Sequence, residues 1–198
     1  MRLFRRTSDP GDRSLVVGLG NPGERYARTR HNAGAMVIDE LLGRTDARLK
    51  SHKSGCLIAE VALGGKRAVL ARPTTYMNES GRQVRELARW YKLDASDIIV
   101  VHDEIDLPFG EIRIKSGGGI AGHNGLSSIL NHLSTKDFTR VRVGVGRPRG
   151  EGVEHVLGEF SGAQRKELPD VIARAADATE RILEAGVERA MNETNTRA

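Results

Sequence analysis

One polar loop of this chain carries both an amide and an imidazole. The seventeen-residue run GLGNPGERYARTRHNAG, from Gly18 to Gly34, follows a short apolar stretch and holds Asn21 and His31. Histidine titrates near neutral pH, so in a polar loop it suits general-base work, although it can equally be a solvated hydrogen bonder. A carboxylate able to orient it stands in HDEIDLPFG at 102 to 110, where Asp103 follows the apolar run DIIVV. At the C-terminal end of a buried strand, Asp103 could accept a hydrogen bond from one ring nitrogen and leave the other to take a proton from water. A turn-capping carboxylate is the alternative. Two further polar segments resemble these, TTYMNESG at 74 to 81 with Asn78, and GGGIAGHNG at 117 to 125 with Asn124. Asn21, Asn78 and Asn124 can each donate and accept hydrogen bonds. Plainer roles exist for all three: Asn21 precedes a Pro-Gly turn, and the other two stand just before helices, where asparagine is a favoured cap.

Other chemistries are less well served. Gly18, Gly20 and Gly23 spell the dinucleotide fingerprint G-x-G-x-x-G, but that motif needs a helix opening on its third glycine, and here Pro22 and a polar stretch intervene. The acidic residues about 20 positions on, Asp39 and Glu40, fall inside a helical pattern. A metal site could be sought in His102, Asp103, Glu104 and Asp106, yet strand alternation sends Asp103 away from the other three. No H-E-x-x-H or Cys-His spacing supports one. No G-x-S-x-G elbow is present, Ser161 lies in an unrelated EFSG stretch, and Cys56 is far from any base motif. Attack by activated water is therefore favoured over an acyl-enzyme.

The elements that must position these residues are legible in outline. LVVGL at 15 to 19 and DIIVV at 97 to 101 are continuous apolar runs, the pattern of strands buried on both faces. Ala33, Met36, Val37 and Leu41 follow a helical period, with Gly43 as a plausible stop. CLIAEVAL and RAVLAR flank Gly64-Gly65 as an antiparallel hairpin. A helix is expected over 78 to 92, strands at 112 to 115 and 140 to 145, a helix carrying Leu126, Ile129, Leu130 and Leu133, and one Ala-rich amphipathic helix from Ala163 to about Met191. The pattern predicts a single α/β domain over 14–191, with a mixed central sheet flanked by helices, and frayed ends at 1–13 and 192–198.

Composition bounds the partners. A net charge of +5 favours an anionic partner such as nucleic acid. Two strands supply a candidate basic face, with Arg113 and Lys115 in one and Arg140 and Arg142 in the other. Arg82, Arg85 and Arg89 stripe the second helix, and glycines 117 to 119 form either an anion nest or a flexible loop. A lone cysteine excludes a disulfide within the chain and a Cys-based zinc site. No apolar run is long enough for a secretory signal or a membrane span, so a cytoplasmic protein is expected.

Taken in order, GLGNPG with RHNAG, YMN-x-SG, HDE-x-DLP-x-G and GHNG resemble the signature segments of the bacterial peptidyl-tRNA hydrolase family, and the match runs from about Ser14 to the C-terminal helix. The resemblance implies hydrolysis of the ester between a peptide and its tRNA, without cofactor or metal. It places the catalytic histidine on His31 and its acidic partner on Asp103, and it lets Asn21 tell a blocked amine from a free one. Asn78 and Asn124 would hold the peptide end and the attacking water, Tyr26 and Tyr76 would contact the terminal part of the substrate, and Lys115 with Arg142 would clamp the tRNA 5′ phosphate. It further implies a monomer whose partners are peptidyl-tRNA and a stalled large ribosomal subunit. The rival is a non-catalytic RNA-binding protein on the same fold, as in chloroplast intron-splicing relatives; the pairing of His31 with Asp103 discriminates against it.

Overall fold

The computed structural model describes residues 13–147 and 152–196. Seven strands form one mixed sheet: β1 (Arg13–Gly18), β2 (Lys50–Ser51), β3 (Leu57–Leu63), β4 (Lys66–Arg72), β5 (Ile98–Glu104), β6 (Ile112–Ser116) and β7 (Thr139–Gly144). Their order is β2-β3-β4-β1-β5-β7-β6. β1 runs parallel to β4 and β5, and β5 runs parallel to β7, so the middle of the sheet is parallel. The edges are antiparallel, with β3 turning back on β4 and β6 on β7.

Both faces are covered, which explains the uninterrupted apolar runs. Val16, Ile99 and Val101 face one core with helices α1 (Ala33–Thr45), α5 (Gly162–Ala185) and α6 (Val187–Asn195). Leu15, Val17 and Val100 face the other, beneath α2 (Ser80–Tyr91) and α3 (Asn124–Leu133). A short helix, α4 (Gly152–Leu157), lies against the Arg30–Asn32 turn and has no fully buried side chain. Only six residues long, with its apolar positions confined to Val153, Val156 and Leu157, it is too short for a periodic signal in the sequence, and so are the two exposed polar residues of β2.

Two helix ends differ from the expected ones. Gly43 lies inside α1, which instead stops at Asp46 in the left-handed conformation, a backbone state that a short polar side chain tolerates. The C-terminal segment is two helices, because Gly186 adopts φ 85° and breaks the run. The second of these continues past Met191 to Asn195, whose side chain accepts from the Ile114 N–H and donates to the Ile114 carbonyl, each at 2.9 Å. Edge strand β6 is thereby covered, which blocks pairing with another chain. At the N-terminal side Arg13 already belongs to β1, whereas 1–12 and 197–198, also expected to fray, lie outside the described residues.

The turn after β1 can reach β5 only because the chain is stripped to glycine at the crossing. A Cβ on Gly34 would lie 2.1 Å from the Val101 carbonyl oxygen and 2.7 Å from the Leu19 nitrogen, both rigid backbone atoms. Gly34→Ala should therefore lower stability by about 3 kcal/mol, read as a fall in the urea midpoint. An unchanged midpoint would mean that α1 can move off the sheet at no cost.

Candidate active site

Asp103 sits near the C-terminal end of β5, and the turn carrying His31 follows the neighbouring parallel strand β1. Sites in parallel α/β sheets gather in this crevice beyond the strand C-termini. His31 Nδ1 lies 2.9 and 3.0 Å from the two Asp103 oxygens, a bifurcated bond in which the ring N–H donates. Its Nε2 has no partner among the described residues and stands at the edge of a cavity of about 570 Å³ that His31 and Asp103 both line.

A second histidine, inside GHNG, completes the arrangement and was not among the residues singled out by spacing. His123 Nε2 is 2.9 Å from Asp103 Oδ1, while its Nδ1 accepts the N–H groups of Gly125 and Leu126 at the start of α3. Those two donors fix Nδ1 as an acceptor, so Nε2 carries the hydrogen and His123 is a neutral donor to Asp103. Its place as the N-cap of α3 was the signal available in the sequence. Burial alone would oppose ionisation of Asp103, but the N–H donors that His123 and His31 turn toward it outweigh that and hold the carboxyl well below the usual range. His102 lies wholly inside, with Nδ1 2.7 Å from the Asp103 carbonyl oxygen, and burial next to His123 pulls it well below its ordinary value, keeping it neutral.

Although His31, Asp103 and His123 bring three ligand-type atoms within 4.8 Å of one another, they do not fit a metal. The His123 Nδ1 lone pair is taken by backbone and both facing nitrogens direct N–H at the carboxylate. Glu104 is likewise engaged, with Arg142 Nε 2.9 Å from its carboxylate.

The amides divide by what they present. Asn21 accepts the Met77 N–H on Oδ1 at 2.8 Å, so its Nδ2 is the group left for the cavity and it acts there as a donor. Asn32, which carries no motif signal of its own, brackets the Asn21 backbone by accepting its N–H at 2.9 Å and donating to its carbonyl at 3.0 Å. Neither Asn78 nor Asn124 is a cap: Asn78 lies within the 3-10 turn Met77–Glu79, and Asn124 is the first residue of α3. Both line the cavity, as do Tyr26 and Tyr76, whose rings meet edge to face at 6.4 Å. Ile105, Val153, Val156 and Leu157 add apolar surface to the lining. The cavity lining contains no serine, threonine or cysteine among the described residues. Cys56 is buried elsewhere, its thiol pushed up to about 11 by burial.

The basic strand face is only partly free. Lys115 pairs in register with Arg140, two residues from Arg142, so all three share one side of the β6–β7 pair. Arg140, however, is buried, and its guanidinium bonds the carbonyls of Gly117 and Gly119. Of the two readings of glycines 117 to 119, anion nest or flexible loop, these contacts support neither directly: the carbonyls of Gly117 and Gly119 hold an arginine. The dinucleotide motif fails as well, since Gly23 leads into a 3-10 turn, Glu24–Tyr26, and helix begins only at Ala33.

A family model described as peptidyl-tRNA hydrolase matches residues 15–198. The chain belongs to the peptidyl-tRNA hydrolase family. Among its relatives, the peptidyl-tRNA hydrolase of Mycolicibacterium vanbaalenii is 54% identical over 181 residues, covering 90% of this chain and 94% of the relative. That of Frankia alni is 52% identical over 180 residues, covering 90% and 91%. The crystal structure of the Acinetobacter baumannii peptidyl-tRNA hydrolase superposes with a TM-score of 0.87 at 36% identity, covering 93% of this chain and 95% of that one. The seven-stranded mixed sheet is thus a peptidyl-tRNA hydrolase fold, and among the described residues no helix is long and apolar enough to cross a membrane.

The electrostatics carry a consequence for acid stability. The folded Asp103 carboxyl lies below its unfolded value of about 3.9, so its contribution is complete above that pH and shrinks as the pH falls beneath it. Asp103→Asn should therefore be less stable than wild type at neutral pH, with the gap narrowing in urea titrations below about pH 4. A gap that stayed constant down to about pH 2 would contradict the two-histidine arrangement.

Proposed function

We propose that this chain hydrolyses the ester between peptide and tRNA in peptidyl-tRNA by attack of a water that His31 activates directly. Peptidyl-tRNA hydrolysis is the activity of its family. One observation carries the mechanism: His31 Nδ1 is engaged by a buried Asp103, which leaves Nε2 open on a cavity lined by three asparagines. A water on Nε2 loses its proton to the ring as its oxygen attacks the ester carbonyl, and Asp103 stabilises the imidazolium so formed. The same imidazolium then returns the proton to the departing 3′ oxygen of the tRNA. With no serine, threonine or cysteine in the described cavity lining, water is favoured over a covalent intermediate.

In this reading Asn21 presents its N–H to the carbonyl of the acylated amine, Asn78 and Asn124 hold the peptide end and the water, and Tyr26 with Tyr76 receive the terminal part of the substrate. Lys115 and Arg142 hold the 5′ phosphate, with Glu104 orienting Arg142. The single domain that does this work takes in the expected 14–191 and extends to Arg13 in β1 and to Asn195 in α6. The protein acts as a cytoplasmic monomer on free peptidyl-tRNA and on stalled large ribosomal subunits, and its net charge of +5 supports a polyanionic partner.

The test is release of tRNA from N-acetylated aminoacyl-tRNA. His31→Ala should fold normally and lose roughly 100-fold or more in kcat, while Asp103→Asn loses less because the base remains. Near-normal turnover in folded His31→Ala would remove His31 from the mechanism. Asn21→Asp tests the amide separately: one carboxylate oxygen can still accept from Met77, but the other now faces the cavity as an anion that attracts an ammonium and cannot donate. The ratio of rates on blocked and free aminoacyl-tRNA should fall toward one. Discrimination that survives while the rate drops would reassign Asn21 to the chemistry.

A further inference from the structure

The outer wall of the cavity is its least anchored part. α4 has no fully buried side chain, yet it supplies Gly152, Val153, Val156 and Leu157 to the lining. Apolar burial, which holds the other helices on the sheet, cannot hold this one. Polar ties do so instead, and several of them converge on one residue. The Arg30 N–H donates to the Gly158 carbonyl at 3.0 Å, Nη1 donates to the His155 carbonyl at 3.2 Å, and Nη2 donates to Gln164 Oε1 at 3.1 Å. Its guanidinium carbon lies 5.5 Å from the centre of the Phe160 ring. Other ties are His155 Nε2 on the Val145 carbonyl at 3.2 Å, a single bridge between Thr29 and Glu159, and Arg165 Nη1 on the Phe160 carbonyl at 3.1 Å, while buried Phe160 beyond the helix packs on Phe109.

Arg30 differs from an ordinary surface cation. Among the described residues no carboxylate pairs with it; its acceptors are a backbone carbonyl and a side-chain amide. Its Nε is buried without a partner, an arrangement that opposes folding. Burial also pulls the guanidinium below its ordinary value. A planar fork in fixed geometry can reach acceptors on two different elements at once, which a lysine ammonium cannot. Arg30 also adjoins His31, so one 3-10 turn, Arg30–Asn32, sends the base inward to Asp103 and this strut outward to α4.

We propose that Arg30 is a positioning residue that fixes α4 against the turn bearing His31, and so sets how the apolar part of the peptide is held over the base. The proposal rests on the reading of the cavity as the peptidyl-tRNA site. Val153 is 61% exposed and Leu157 40% exposed, and these are the surfaces an apolar peptide side chain would cover. A wall that drifts loses that contact without disturbing the His31–Asp103 bond.

The experiment compares two substrates, N-acetyl-glycyl-tRNA and a tRNA bearing an N-acetylated trileucyl peptide, together with amide hydrogen exchange of α4 in the free protein. Arg30→Met keeps the aliphatic stem over Phe160 and removes the donors; Arg30→Lys keeps the charge without the fork. Both should raise KM for the trileucyl substrate by about tenfold, leave its kcat within about threefold, and leave KM for the glycyl substrate within about twofold. Exchange in α4 should speed by roughly tenfold. Gln164→Glu works in the opposite direction, since it preserves the capping box with Ser161 and gives Arg30 a carboxylate, and it should slow exchange in α4. Equal KM changes on both substrates, or unchanged α4 exchange in the Arg30 variants, overturns the proposal. If Arg30→Met fails to fold, Arg30→Lys and Gln164→Glu decide it by the same exchange. Wild type that cleaved neither substrate would sink the functional reading, and the exchange data would still decide the strut.

Discussion

Everything at the site depends on keeping one carboxylate ionised inside the protein. Asp103 is 2% exposed, and a buried anion is tolerated only when hydrogen bonds and positive partial charges surround it. Two histidines meet that demand, His31 from the segment after β1 and His123 from the start of α3. Three segments distant in sequence are thereby pinned to the same pair of oxygen atoms. The demand also sorts the histidines by role. His123 commits its other nitrogen to the first N–H groups of α3 and stays a neutral donor, whereas the second nitrogen of His31 is open to the cavity. An arrangement symmetric around the carboxylate thus leaves one imidazole nitrogen open to the cavity.

The rest of the fold brings these segments within reach. Gly34 lets α1 sit directly on the ends of β1 and β5, so that the turn before it reaches Asp103. Asn32 holds the Asn21 backbone from the same turn, and Asn21 in turn accepts from Met77 at the entrance to α2. The donor that Asn21 shows to the cavity is therefore set by a contact 56 positions away along the chain. Beside this dense polar network stands α4, tied down by few bonds. The cavity has a densely hydrogen-bonded polar side and a lightly held apolar side, an asymmetry that leaves the apolar side freer to adjust.

Much of this was written in the sequence. Continuous apolar runs marked β1 and β5 because both faces of each strand are covered, and the Gly64-Gly65 turn marked the β3–β4 hairpin because its backbone needs positive φ, 56° and 71°. His31, Asp103 and the three asparagines stood out because polar residues cluster in loops after buried strands or just ahead of helices. What lacked sustained periodicity was invisible: α4 is too short, at six residues, for its three apolar positions to stand out, and the break at Gly186 hides inside an Ala-rich pattern that would continue as one helix.

Tertiary structure alone decided which partner each polar group takes. Composition could place Arg140 and Arg142 on one strand face but could not show that the first is held by the carbonyls of Gly117 and Gly119 and the second by Glu104. Nor could spacing reveal that His123 shares Asp103 with His31, since residues 20 and 72 positions from the carboxylate meet it only after the sheet is assembled. The sequence by itself determined the chemical groups and the strand ends that carry them, because residue type and apolar period are local properties. Protonation, tautomer and the direction each amide faces were decided by the fold, because they depend on hydrogen bonds between segments that only packing brings together.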